Sequence, residues 1–121
     1  MLFKNILLVG LGGMIGSVLR YLTSYLIKHE SFPYATFVVN IAGSLLIGAI
    51  MGIAARQENF GNWRLFLATG ICGGFTTFSA FAWENMQLLE QQRYGSFVLY
   101  TGGTLVLGLA AVTVGYWMTK G

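Results

Sequence analysis

Two stretches of this chain, Pro33 to Ala55 and Tyr94 to Met118, carry no charged side chain at all. Each is longer than the roughly 20 apolar residues a helix needs to cross a bilayer. Two further runs, Leu2 to Ile27 and Trp63 to Leu89, are nearly as apolar, broken only by Lys4, Arg20, Arg64 and Glu84. Polar punctuation separates the four: Lys28-His29-Glu30-Ser31, then Arg56-Gln57-Glu58-Asn59 with Gly61-Asn62, then Glu90-Gln91-Gln92-Arg93. The runs are continuous rather than alternating, which excludes the strands of a membrane barrel. The first is too long and wrongly flanked for a cleavable leader. The expectation is one all-α integral membrane domain over residues 1–121, with transmembrane spans at about 2–27, 33–55, 63–89 and 94–118. Pro33 suits the start of the second helix, where a missing N–H costs nothing.

Charge supports this. Of 121 residues 55% are apolar and only 9% are charged, against about 25% charged in an ordinary soluble domain. That disfavours a soluble enzyme, a disordered tail and a disulfide scaffold, and Cys72, the one cysteine, has no partner within the chain. The net charge of +3 is spread singly, so there is no nucleic-acid patch. Four spans put Lys4, Arg56, Arg64 and Lys120 on one side of the membrane and Lys28, Arg93 and Arg20 on the other, four against three. An excess of basic residues normally sets orientation; here the near-balance suits two copies assembled antiparallel, and one fixed orientation is the alternative. The 17 glycines include the pairs Gly12/Gly16, Gly48/Gly52 and Gly70/Gly74, a spacing that lets helices approach closely in lipid. Four helices are too thin to enclose a wide pore alone, so a dimer is expected.

Polar groups inside the spans are costly and mark candidate sites. Arg20, about two turns from the end of the first span, either snorkels to the interface or sets a fixed positive charge at the mouth of an anion path. Asn40 either ties two helices together or donates its amide to a passing anion. The densest cluster runs from Thr69 to Phe81, and its Gly73-Gly74-Phe75-Thr76-Thr77 makes poor helix. A fully helical third span would measure about 40 Å against a core of roughly 30 Å, so an interruption is expected near Gly73-Gly74. Exposed carbonyls there can hold a cation and helix N-terminal ends favour anions; a harmless kink is the alternative. Phe78 and Phe81 stand three apart, and an aromatic ring has a positive edge that can meet a small anion, although packing is the usual role. Glu84 is either a proton carrier or a vestibule residue. Tyr100 and Thr104, one turn apart, can form a ladder of hydroxyls. There is no catalytic set: His29 stands alone, and Gly10, Gly12 and Gly13 precede no strand-helix unit.

With these residues laid out, the chain resembles the CrcB/Fluc family of small fluoride channels over essentially its whole length. The blocks that carry the resemblance are Gly12-Gly13-Met14-Ile15-Gly16-Ser17-Val18-Leu19-Arg20-Tyr21, then Pro33, Thr36, Asn40, Gly43 and Gly48, then Gly70 to Phe81, the most specific. The resemblance implies an antiparallel, dual-topology homodimer in the inner (plasma) membrane, with two fluoride pores that let the anion leave passively and so lower its toxicity. It implies a structural Na⁺ at the third-helix break, held by the main-chain carbonyls of Gly73 and Thr76. Phe78 and Phe81 match the pore phenylalanines, with Ser79 between them. Asn40 matches the pore asparagine, Arg20 the vestibule arginine, and Tyr100 and Thr104 the fourth-helix hydroxyls. Three positions depart from the pattern: Ala80 where threonine is common, Ala35 where glycine is common, and Gly108 where some relatives carry serine. Two rivals are a small dual-topology proton-coupled multidrug exporter and a non-transporting scaffold subunit. The exporter needs a deep carboxylate, usually in the first helix, where this chain has Arg20 and none.

Overall fold

A computed structural model of the chain describes residues 1–27 and 32–121. Lys28, His29, Glu30 and Ser31, read above as the first polar connection, lie outside the described residues. All regular structure among the described residues is helical: α1 (Leu2–Leu26), α2 (Tyr34–Arg56), α3 (Gly61–Arg64), a π-helical coil (Leu65–Cys72), α4 (Gly73–Phe75), α5 (Phe78–Glu90) and α6 (Tyr94–Lys120). Residues Gly61–Glu90 together make one apolar span, and with α1, α2 and α6 there are four long and apolar enough to cross a membrane. Val98, Leu99, Val106 and Leu109 stand exposed along α6, as do Leu2, Phe3 and Tyr25 on α1. Helices that show apolar side chains outward belong in lipid. This is a multi-pass membrane protein.

Glycine decides which helices touch. A Cβ on Gly12 would meet the Phe66 carbonyl and lie 2.8 Å from Gly70 Cα, and one on Gly74 would lie 2.6 Å from the Gly13 carbonyl. The main chains of α1 and the third span are therefore in direct contact. On the other side, Gly48 abuts the Val112 main chain, Gly52 abuts Tyr116 and Thr119, and Gly115 fits against Leu45 and Ala49. Thr119 Oγ1 adds a 2.7 Å hydrogen bond to the Ala49 carbonyl. The result is two parallel pairs, α1 with the third span and α2 with α6.

Local chemistry places the ends. Pro33, with φ −77°, caps α2. Between α5 and α6 the Gln92 N–H donates to Leu89 O at 3.0 Å and the Arg93 N–H to Leu88 O at 2.9 Å. Those two bonds make a Schellman turn. Its left-handed position is held by Gln92, at φ 59°, where glycine is the usual residue.

Candidate functional site

The helix of the third span ends at Phe75, its last ladder bond running from the Thr76 N–H to Cys72 O at 3.0 Å. Thr76 (φ −81°, ψ 157°) and Thr77 (φ −151°, ψ 115°) are extended, and α5 begins at Phe78. The sequence expectation placed this point near Gly73-Gly74, and the extended residues follow two positions after Gly74. Both glycines are inside α4, and Gly74 is needed for contact with Gly13. What holds the extended residues comes from another helix. Asn40 of α2 accepts from the Thr77 N–H at 2.9 Å through Oδ1 and donates to the Thr77 carbonyl at 3.2 Å through Nδ2. One side-chain amide thus bonds both main-chain polar groups of Thr77, whose N–H the helix has released, the condition for irregular backbone at membrane depth. Thr77 then caps α5, its Oγ1 accepting from the Ala80 N–H at 3.1 Å. Thr76 returns its hydroxyl to Cys72 O at 3.0 Å, and Gly43 makes room for its methyl group.

Beside this clamp lies a cavity of about 320 Å³. Six residues singled out from the sequence line it: Asn40, Gly73, Thr76, Phe78, Phe81 and Thr104. The wall also includes the buried Cys72 and Ser44, to which sequence reasoning gave no role. Ser79, Arg20 and Tyr100 are not part of the lining. Ser79 Oγ lies 3.2 Å from Thr77 Oγ1, in hydrogen-bond contact with the cap. Arg20 Nε donates to the Gly74 carbonyl at 3.2 Å, which ties the α1 guanidinium to the main chain just ahead of the extended residues.

The aromatic rings sort by exposure. Phe81 is buried and Phe78 is 77% exposed, with their ring centroids 5.9 Å apart. Behind Phe81 stands Tyr100, completely buried, at 5.0 Å between centroids. Tyr100 donates its hydroxyl to Glu84 Oε1 at 2.8 Å, and Thr36 donates to Oε2 at 2.9 Å. The Tyr100 proton is thereby directed away from Thr104, and no hydroxyl ladder joins the two. Thr104 Oγ1 is buried with no hydrogen-bond partner among the described residues. The part of Thr36 in fixing Glu84 was not readable locally, since the two are far apart in sequence and meet only when α2 packs on α5.

These features define a class: a small multi-pass membrane protein with a largely apolar cavity at mid-span that Asn40 and a few hydroxyl residues also line. The chain belongs to the CrcB family, whose model, described as "CrcB-like protein, Camphor Resistance (CrcB)", matches residues 7–116. A protein of Phocaeicola vulgatus named fluoride-specific ion channel FluC is 46% identical over 120 residues, covering 97% of this chain and 99% of the relative. A FluC of Flavobacterium psychrophilum is 47% identical over 121 residues, with 97% and 98% covered. The FluC 2 of Rhodococcus jostii is 43% identical over 117 residues, with 96% and 99% covered. The names these relatives carry are those of an ion channel and not of an enzyme.

Proposed function

We propose that this chain is a fluoride-selective channel that allows passive efflux of cytoplasmic fluoride across the inner (plasma) membrane and so lowers its toxicity. The observation that carries the reading is the Asn40–Thr77 clamp beside a cavity walled by hydroxyls and aromatic rings, in a chain whose relatives bear the name of such a channel. Fluoride is small and strongly hydrated, so a selective route must replace its water with donors and positive ring edges. Asn40 has one amide proton left after bonding Thr77. Ser79 supplies a hydroxyl next to the cap, and Phe78 and Phe81 supply edges. Tyr100 contributes its ring, which backs Phe81, while its hydroxyl is committed as donor to Glu84. Arg20 contributes positive charge behind the extended residues. Glu84 accepts through both oxygens, and passive flow asks no proton transfer of it.

The same reading includes a structural Na⁺. Among the described residues no group of three or more His, Cys, Asp or Glu could hold a metal, so a cation at this place would rest on main-chain oxygens. Gly73 and Thr76 suit that role. In a continued helix their carbonyls would accept from the Thr77 and Ala80 N–H groups, and those donate to Asn40 Oδ1 and Thr77 Oγ1 instead. When bound, sodium supplies a fixed positive charge that offsets part of the cost of an anion at depth. The functional unit is an antiparallel homodimer: the exposure of Phe78 near the middle of its span supports a second copy against that face.

The test is fluoride efflux from liposomes containing the purified protein, read with a fluoride electrode and with a K⁺ ionophore preventing charge build-up. Chloride-loaded vesicles run in parallel. Rapid fluoride loss with negligible chloride loss is expected, and no flux from correctly dimeric protein would overturn the reading.

A further inference from the structure

The α2–α6 contact is in step, turn by turn. Gly52 meets Tyr116, Gly48 meets Val112, and Ser44 Oγ lies 3.7 Å from where a Cβ on Gly108 would stand. Both helices run in the same direction, so continuing the step one turn sets Asn40 level with Thr104. One turn further it sets Thr36 level with Tyr100, and those two share Glu84. Polar groups therefore occupy three successive levels of the seam, ending at Ser44, where the glycine contacts with Val112 and Tyr116 close it. Four helical hydroxyls return to their own backbone: Ser17 to Met14, Thr23 to Leu19, Thr113 to Leu109 and Thr119 to Gly115. Ser44 and Thr104 do not. Both line the cavity next to Asn40, and Thr104 Oγ1 is buried without a partner. An unsatisfied hydroxyl inside a membrane protein is costly unless something else completes it, and the two residues that carry these line one cavity with Asn40.

We infer that Ser44 is an anion-contacting residue, forming with Thr104 a second anion subsite one helical turn beyond Asn40. This inference rests on the channel reading above. The guest is a small, hard anion, because two hydroxyls and an amide offer donors without a compensating full charge. Gly108 fits the same picture: it leaves the space opposite Ser44 open, so the hydroxyl on α2 is the donor at that level.

The experiment is fluoride efflux from liposomes containing the full chain, with assembly of every variant checked by size exclusion. Ser44→Ala removes one hydrogen bond to a charged guest, and flux is expected to fall about tenfold. Ser44→Cys, nearly isosteric but a weak donor, is expected to fall similarly and covers failure of the alanine variant to fold. The double variant Ser44→Ala with Gly108→Ser places a hydroxyl on the opposite wall, where a Cβ is accommodated at ordinary contact distance, and is expected to recover most of the flux. A merely structural serine would not be rescued from the other helix. Native-like flux in folded Ser44→Ala or Ser44→Cys protein overturns the subsite and leaves the channel intact, as does failure of the rescue. Absence of flux in the native chain overturns the channel reading instead.

Discussion

Asn40→Ala tests the centre of the structure most directly. The substitution removes two hydrogen bonds at once, to the Thr77 N–H at 2.9 Å and to the Thr77 carbonyl at 3.2 Å. The Thr77 carbonyl, at the N-cap of α5, still accepts the first intrahelical bond, so the loss falls on the Thr77 N–H, at about 1–3 kcal/mol for a polar group left without a partner. The middle of that range is about 2 kcal/mol. For a chain of this size that is a fall in Tm of about 5–10 °C, measured by thermal unfolding in detergent. Asn40→Asp keeps the acceptor for the Thr77 N–H but sets a carboxylate oxygen against the Thr77 carbonyl, and a charge at depth adds about 2.5–3.5 kcal/mol. Its fluoride efflux is expected to be lower still than that of Asn40→Ala. A Tm within 1 °C of native for Asn40→Ala would refute the clamp, and unchanged flux in folded Asn40→Asp would remove Asn40 from the anion path.

Four other outcomes are expected. Phe78→Ile and Phe81→Ile should lower fluoride flux while the protein still assembles, with the larger loss of stability at the buried Phe81, read by efflux and thermal unfolding together. Gln92→Gly relieves a left-handed residue and should stabilise by about 1 kcal/mol, raising Tm by a few degrees. Gly48→Val should abolish recovery of folded protein, because its side chain would strike the Val112 main chain, whereas Gly102→Ala, with open space around it, should be neutral or stabilising by up to about 1 kcal/mol. Thr36→Val leaves Glu84 with one donor fewer and should destabilise by about 1 kcal/mol, the net contribution of one hydrogen bond, read as a lower Tm.

Much of the architecture was legible because lipid imposes simple rules. Charge-free runs give spans, and the glycine pairs Gly12/Gly16, Gly48/Gly52 and Gly70/Gly74 mark positions where the main chains do approach. The third span shows where that legibility ends. Gly73-Gly74 looked like the helix breaker because glycine has low helix propensity, yet both are helical and Gly74 serves the contact with α1. The extended residues fall at Thr76 and Thr77 because Asn40, on another helix, offers the Thr77 peptide a better partner than its own helix does. No local pattern reports that. The π-helical coil at Leu65–Cys72 was equally silent, since a wider turn has no compositional signature. Ser44 was passed over for the opposite reason: a lone serine among apolar residues draws notice only when the wall it faces is known.

The Asn40 clamp also has an order built into it. A fully helical third span satisfies its own main chain and can enter the bilayer alone, while a span with Thr76 and Thr77 extended cannot, because the freed peptide has no water to turn to. The extended form of the third span therefore depends on α2 presenting Asn40 to it. The two extended residues are in that sense a product of assembly, and a helix that failed to find its neighbour would stay straight.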